Sequence, residues 1–187
     1  MIPLPLKLLA MFFAVGVSVS AAATGPADVI ITDSELIKTV FGNTTDIRAE
    51  QVTLTPAQRE WINSHFRYSQ PEQTVTVWLS RDASGRVLAG LIKADVTYED
   101  QTLTVAMGLS AEARVIRAAV TAAPASLRQP LEATIGIGYL KRYTMMSARQ
   151  LGYLANVLNK EGQPTALVAE QLFESGAILA AIINSAE

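Results

Sequence analysis

Gln73-Thr74-Val75-Thr76-Val77-Trp78-Leu79 and the stretches that follow it, Arg86 to Tyr98, Thr102 to Leu109 and Arg114 to Ala122, decide the fold. Apolar and polar residues alternate through them, the period of strands with one buried face. Val75, Val77 and Leu79 share one face of the first strand, with Thr74, Thr76 and Trp78 opposite. The second places Leu88, Gly90, Ile92, Ala94 and Val96 on one side, and Lys93, Asp95 and Thr97 on the other. In the third, Leu103, Val105, Met107 and Leu109 alternate with Thr102, Thr104, Ala106 and Gly108. Asp82-Ala83-Ser84-Gly85, Glu99-Asp100-Gln101 and Ser110-Ala111-Glu112-Ala113 supply the turns. Connections this short join antiparallel neighbours, because parallel strands need long crossovers, so the reading is a central antiparallel meander of about four strands.

Helical spacing flanks the meander on both sides. Asp33 or Ser34 can cap a helix through Phe41 that stops at Gly42. Thr55-Pro56-Ala57-Gln58 is a capping box with proline at the first helical position, and the helix it opens should end near Tyr68 to Pro71. After Pro124 the pattern is helical again, first through Leu131 to Tyr143. Ser147-Ala148-Arg149-Gln150 caps a further helix with an apolar stripe of Leu151, Leu154, Val157 and Leu158, and Pro164 to Ser185 forms the last. The fold class is therefore α+β, with N-terminal and C-terminal helices packed on the sheet and covering one of its faces.

Residues 1–23 read as a secretory signal peptide. Lys7 and the α-amine supply the charge, Leu8 to Val19 the apolar run, and Ser20-Ala21-Ala22-Ala23 the small residues a peptidase needs. Residues 24–187 then form one domain of roughly 164 residues, extracytoplasmic and either periplasmic or secreted, with no transmembrane span in the mature chain. The chain has no cysteine, so neither disulfides nor an acylated N-terminal cysteine is available to it.

Chemistry-bearing constellations are sparse. A formal net charge of −2 and the absence of a clustered basic surface argue against a nucleic-acid partner. One histidine, His65, lies in the helix after Trp61 as a structural imidazole, and with no cysteine or histidine pair no metal site is assigned. Glu99-Asp100 reads as solvated turn charge, Met145-Met146 as adaptable packing and Gly136-Ile137-Gly138 as an incomplete phosphate loop. No catalytic residue is assigned. Arg114, Arg117, Arg128, Lys141 and Arg142 would suit an anionic ligand if the fold gathered them.

Leu36-Ile37-Lys38-Thr39-Val40-Phe41-Gly42, Leu54-Thr55-Pro56-Ala57-Gln58, Gly85-Arg86-Val87-Leu88-Ala89-Gly90 and Ser175-Gly176-Ala177-Ile178 occur in an order that resembles one family. That family is the flavin-mononucleotide (FMN)-binding domains of extracytoplasmic subunits in Rnf- and Nqr-type electron-transport complexes, together with freestanding exported relatives. The resemblance spans most of the mature chain. It implies a flavoprotein role in extracytoplasmic electron transfer or its assembly, with a redox or membrane-complex protein as partner. The family tethers FMN through the threonine of a Ser-Gly-Ala-Thr segment; Ile178 stands there and has no hydroxyl. The family's acidic, glycine-rich segment after the sheet is also replaced, by Thr121-Ala122-Ala123-Pro124-Ala125-Ser126. Any flavin would therefore be non-covalent, with Ser175, Gly176, Ala177, Arg128 and Arg142 as the cofactor-binding candidates. Two alternatives stay open: a cofactor-free protein-interaction domain, which requires a continuous helix through Ser175 to Ile178 with Gly176 against a packed neighbour, and a small-ligand carrier using the apolar sheet face.

Overall fold

The meander forms as four consecutive antiparallel strands, β3 (Thr74–Arg81), β4 (Val87–Tyr98), β5 (Gln101–Ser110) and β6 (Val115–Ala123). The computed structural model describes residues 27–44, 46–69 and 71–185; the expected leader, residues 1–23, lies outside them. Tyr98 pairs with Gln101, so Glu99 and Asp100 alone make the turn, both with positive φ (46° and 62°). That is the backbone twist a two-residue hairpin demands.

The sheet is larger than the four strands expected. β2 (Ile47–Thr53) pairs with β3 at one edge, while β1 (Asp28–Val29) and β7 (Gly138–Tyr139) pair with successive parts of β6 at the other. The spatial order is β1-β6-β5-β4-β3-β2. β2 escapes the alternation test because an edge strand needs little burial; apart from alanine, only Ile47 and Val52 in it are apolar. Two-residue strands are too short to show any period.

Helices cover both faces, another departure from the expected single covered face. Val77, Leu79, Leu103, Val105, Met107 and Leu109, each at most 1% exposed, lie in one core with α2 (Pro56–Phe66), α4 (Ala148–Leu158) and α5 (Thr165–Asn184). On the opposite face α1 (Asp33–Phe41) sets Leu36, Val40 and Phe41 with Ala89, Leu91, Ala106 and Ala119. Small residues there make room for a helix. At Gly108 a β-carbon would lie 2.7 Å from Val40 Cγ2.

Local chemistry sets the helix ends. Thr32, rather than Asp33 or Ser34, caps α1: its Oγ1 accepts from the Glu35 N–H at 3.3 Å, and its own N–H donates to Glu35 Oε2 at 2.9 Å. A capping box needs a carboxylate or amide three residues on, and only Thr32 has Glu35 there. These bonds hold the Glu35 carboxyl below its ordinary pKa. The Thr55–Gln58 and Ser147–Gln150 boxes form as read. α2 stops at Phe66, where Arg67 turns left-handed (φ 55°), just short of the expected Tyr68 to Pro71.

The helix expected through Leu131 to Tyr143 is replaced. α3 (Ala125–Thr134) ends earlier, and Gly136 and Gly138 take φ of 101° and 69°, which turns the chain into β7 and then a 3₁₀ turn at Lys141–Tyr143. In β4 the expected face is also adjusted. Ser80 pairs with Ala89 and Arg81 with Val87, so Leu88 is the extra residue of a bulge, 39% exposed, and Val87 is buried instead. α5 is the one helix among the described residues long and apolar enough to cross a membrane, yet 72% of that stretch is buried within the domain. It is the core helix.

Candidate functional site

An aromatic surface groove lies where α2 ends against α4 and α5. The left-handed Arg67 directs the chain out of α2 so that Phe66 and Tyr68 both reach Phe173 on α5, in edge-on contacts of 6.1 and 5.8 Å between ring centroids. Trp61 extends the cluster, edge-on to Phe66 at 5.6 Å and stacked on His65 at 4.3 Å. His65 Nδ1 lies 2.9 Å from the Trp61 carbonyl oxygen, which ties the exposed imidazole to its own helix.

Gly152 on α4 completes the groove. A β-carbon there would lie 3.2 Å from Phe173 Cε2, so glycine permits α4 to approach the ring. Arg67, Asn156, Asn159 and Glu170 stand around a depression of about 350 Å³. The segment that follows Tyr68 is tied to α5 by the Glu72 N–H, which donates to Glu174 Oε1 at 2.9 Å. Burial pushes the Tyr68 phenol up to about 12, and the Glu174 and Glu170 carboxylates add to the shift. At neutral pH Tyr68 therefore stays protonated, a hydrogen-bond donor beside acidic groups.

The five residues proposed for flavin do not converge. Ser175, Gly176 and Ala177 lie inside the unbroken α5, with Ser175 2% and Ala177 0% exposed. At Gly176 an added β-carbon would collide with Leu151 Cδ1. Ile178 is 2% exposed and belongs to the large core. Arg128 donates through Nη2 to Asp28 Oδ2 at 2.9 Å, at the β1 edge of the sheet. Arg142 donates to the Thr134 carbonyl at 3.5 Å, and the Thr134 hydroxyl bonds that of Thr165 at the start of α5. From Thr165 to Ser175 is about 15 Å along the helix.

Of the other basic residues, only Arg117 and Lys141 meet, around a depression of about 220 Å³ that Tyr139, Leu140 and Thr144 also line. The Arg117 guanidinium lies 5.9 Å from the Tyr139 ring centroid. Met146 packs against the core, while Met145 is 66% exposed. The sheet face offered as a carrier site is filled by the side chains of α5, among them Leu172, Leu179 and Ile183.

The groove is not legible in the sequence. Phe66, Tyr68 and Phe173 are visible as aromatics at the end of one helix and within another, but nothing local says that they meet. Compared with family models, with curated proteins and with solved structures, the chain finds no match in any of the three.

Proposed function

We propose that this chain is an exported, FMN-binding-like domain that works without a cofactor, as a protein-interaction module in the assembly of extracytoplasmic electron-transfer proteins. The observation that carries the proposal is the position of Gly176. In a flavin-binding domain the Ser-Gly-Ala backbone must be open to the ligand; here α5 runs unbroken through it and Leu151 lies directly against the glycine. A ligand phosphate could reach that backbone only by parting α4 from α5, whose contact is part of the main core. The docking surface is the groove of Phe66, Tyr68 and Phe173. Its aromatic floor, with Asn156, Asn159, Arg67 and Glu170 around it, suits a partner segment that presents an apolar side chain flanked by polar groups.

Two measurements test this. Titration of purified protein with FMN should leave flavin fluorescence unchanged up to about 100 µM, a concentration that reveals any dissociation constant in the micromolar range. A photo-crosslinking residue in place of Asn156, carried by cells that make the protein, should capture one defined extracytoplasmic partner. Stoichiometric flavin in the purified protein rejects the proposal.

A second reading, non-covalent flavin binding, has one observation in its favour. Phe173 precedes Gly176 by one helical turn, so an aromatic groove lies beside the segment that binds flavin in the resembling family. If flavin is bound there, Phe173→Ala should abolish it while Arg128→Ala leaves it intact.

A further inference from the structure

β2 ends the sheet, and its outer side pairs with no strand among the described residues. Thr53 faces Thr74 in the β2–β3 ladder, and just beyond that pair the Leu54 N–H donates to the Gln73 carbonyl at 2.8 Å. Because antiparallel residues alternate in direction, the even-numbered residues of β2 turn their backbone groups to β3. Ile47, Ala49, Gln51 and Thr53 turn theirs to the open edge.

Such an edge normally carries charges that deter pairing. Here the charges have opposite sign two residues apart. Arg48 and Glu50 pair with Leu79 and Val77, so both project on the α5 side of the sheet. We propose that a second copy of this chain adds to this edge, β2 against β2, about a two-fold axis through Ala49.

Among axes from Arg48 to Gln51, Ala49 gives the best register. An axis at Ala49 sets Ile47 opposite Gln51 and Ala49 opposite itself, all with outward N–H and C=O groups, which gives about six hydrogen bonds across the axis. It sets Arg48 opposite Glu50 of the second copy, twice, at the non-hydrogen-bonded positions where facing side chains lie closest. An axis at Arg48 or Glu50 would instead oppose like charges, and one at Gln51 would set Glu50 against Val52. The residue on the axis is alanine, the smallest side chain in the strand. Beside the edge, Arg48, Glu50, Arg81 and Asp46 surround an open depression of about 260 Å³ over Leu79, with room for a side chain from the second copy. Glu50 already accepts from Arg81 Nη2 at 3.2 Å, so the Arg48 of a second copy would complete an alternating cation–anion row. This edge is separate from the α2–α4–α5 groove, and the inference does not rest on the function proposed above.

The test is sedimentation velocity of the protein from about 5 to 500 µM, a range suited to an interface at the small end of specific contacts. Wild type should pass from monomer to dimer. Arg48→Glu and Glu50→Arg should each associate at least about tenfold more weakly. Mixed together, the two single variants should form a heterodimer, because the two acidic side chains of one copy then face the two basic side chains of the other. Ala49→Pro removes an outward N–H that β3 does not use, so it should keep the circular dichroism of wild type and stay monomeric. A wild-type monomer throughout the range, undiminished association of Arg48→Glu or of Ala49→Pro, or no heterodimer on mixing overturns the proposal.

Discussion

Gly176→Ala compares two opposing effects at the residue on which the functional reading turns. Alanine in a helix interior is favoured over glycine by about 1 kcal/mol, through backbone entropy. Against this, the new methyl group collides with Leu151 Cδ1 and comes within 3.9 Å of Met107 Cγ, in a core where neither neighbour has free space. Overpacking costs about 1–3 kcal/mol, and a collision this close with a fully buried neighbour belongs in the upper half of that range, so after the gain in propensity the substitution should destabilise by about 1–2 kcal/mol. Gly152→Ala on the facing helix is the control. Its methyl would meet the edge of the Phe173 ring at 3.2 and 3.3 Å, and that ring borders an open groove and can give way. Propensity should win there, leaving stability unchanged or raised by up to about 1 kcal/mol. The two alanines should thus differ by about 2 kcal/mol, or roughly 4–8 °C in melting temperature for a domain of this size. Urea unfolding at constant m-value is the assay. Leu151→Ala should rescue in part: the double variant should be more stable than the sum of the two single losses by about 1 kcal/mol, since each change fills or relieves the other. A Gly176→Ala protein at least as stable as Gly152→Ala would refute the reasoning that Gly176 is a packing element.

Gly108→Ala puts a methyl 2.7 and 3.0 Å from the Val40 methyls, so it should loosen α1 and cost about 1–3 kcal/mol, read as faster hydrogen exchange in Asp33–Phe41. Tyr143 is 1% exposed and its hydroxyl has no hydrogen-bond partner among the described residues, so Tyr143→Phe should stabilise by about 1 kcal/mol in thermal unfolding. The Tyr68 phenol is raised from 10.0 to about 12, so the unfolded chain ionises first as pH rises. Stability from this group is full below pH 10 and is lost through about 12; Tyr68→Phe should flatten that alkaline limb of a pH–stability curve.

The legible parts of the fold are those in which one segment carries its own signal. β3 to β6 alternate because each has a buried face, and Thr55–Gln58 and Ser147–Gln150 announce their helices because a capping box closes within four residues. β2 was hidden because its partner β3, rather than its own apolarity, makes it a strand. The misplaced helix after Leu131 has a similar cause: the apolar spacing was there, but Gly136 and Gly138 took positive φ and β6 offered an edge to Gly138 and Tyr139. The candidate groove was illegible because Phe66, Tyr68, Gly152 and Phe173 come from three helices, and their meeting depends on the left-handed turn at Arg67.

The sequence by itself determined the α+β class, the meander and its turns, and the absence of a hydroxyl at Ile178, because period, turn chemistry and side-chain identity are local properties. Only the tertiary structure decided that α1 takes the opposite sheet face, that Arg128 and Arg142 stand apart from Gly176, and that Leu151 rather than open space lies over that glycine. Those outcomes depend on which surfaces meet across long separations in the chain. Shape and burial choose among them, and no short stretch of residues carries that choice.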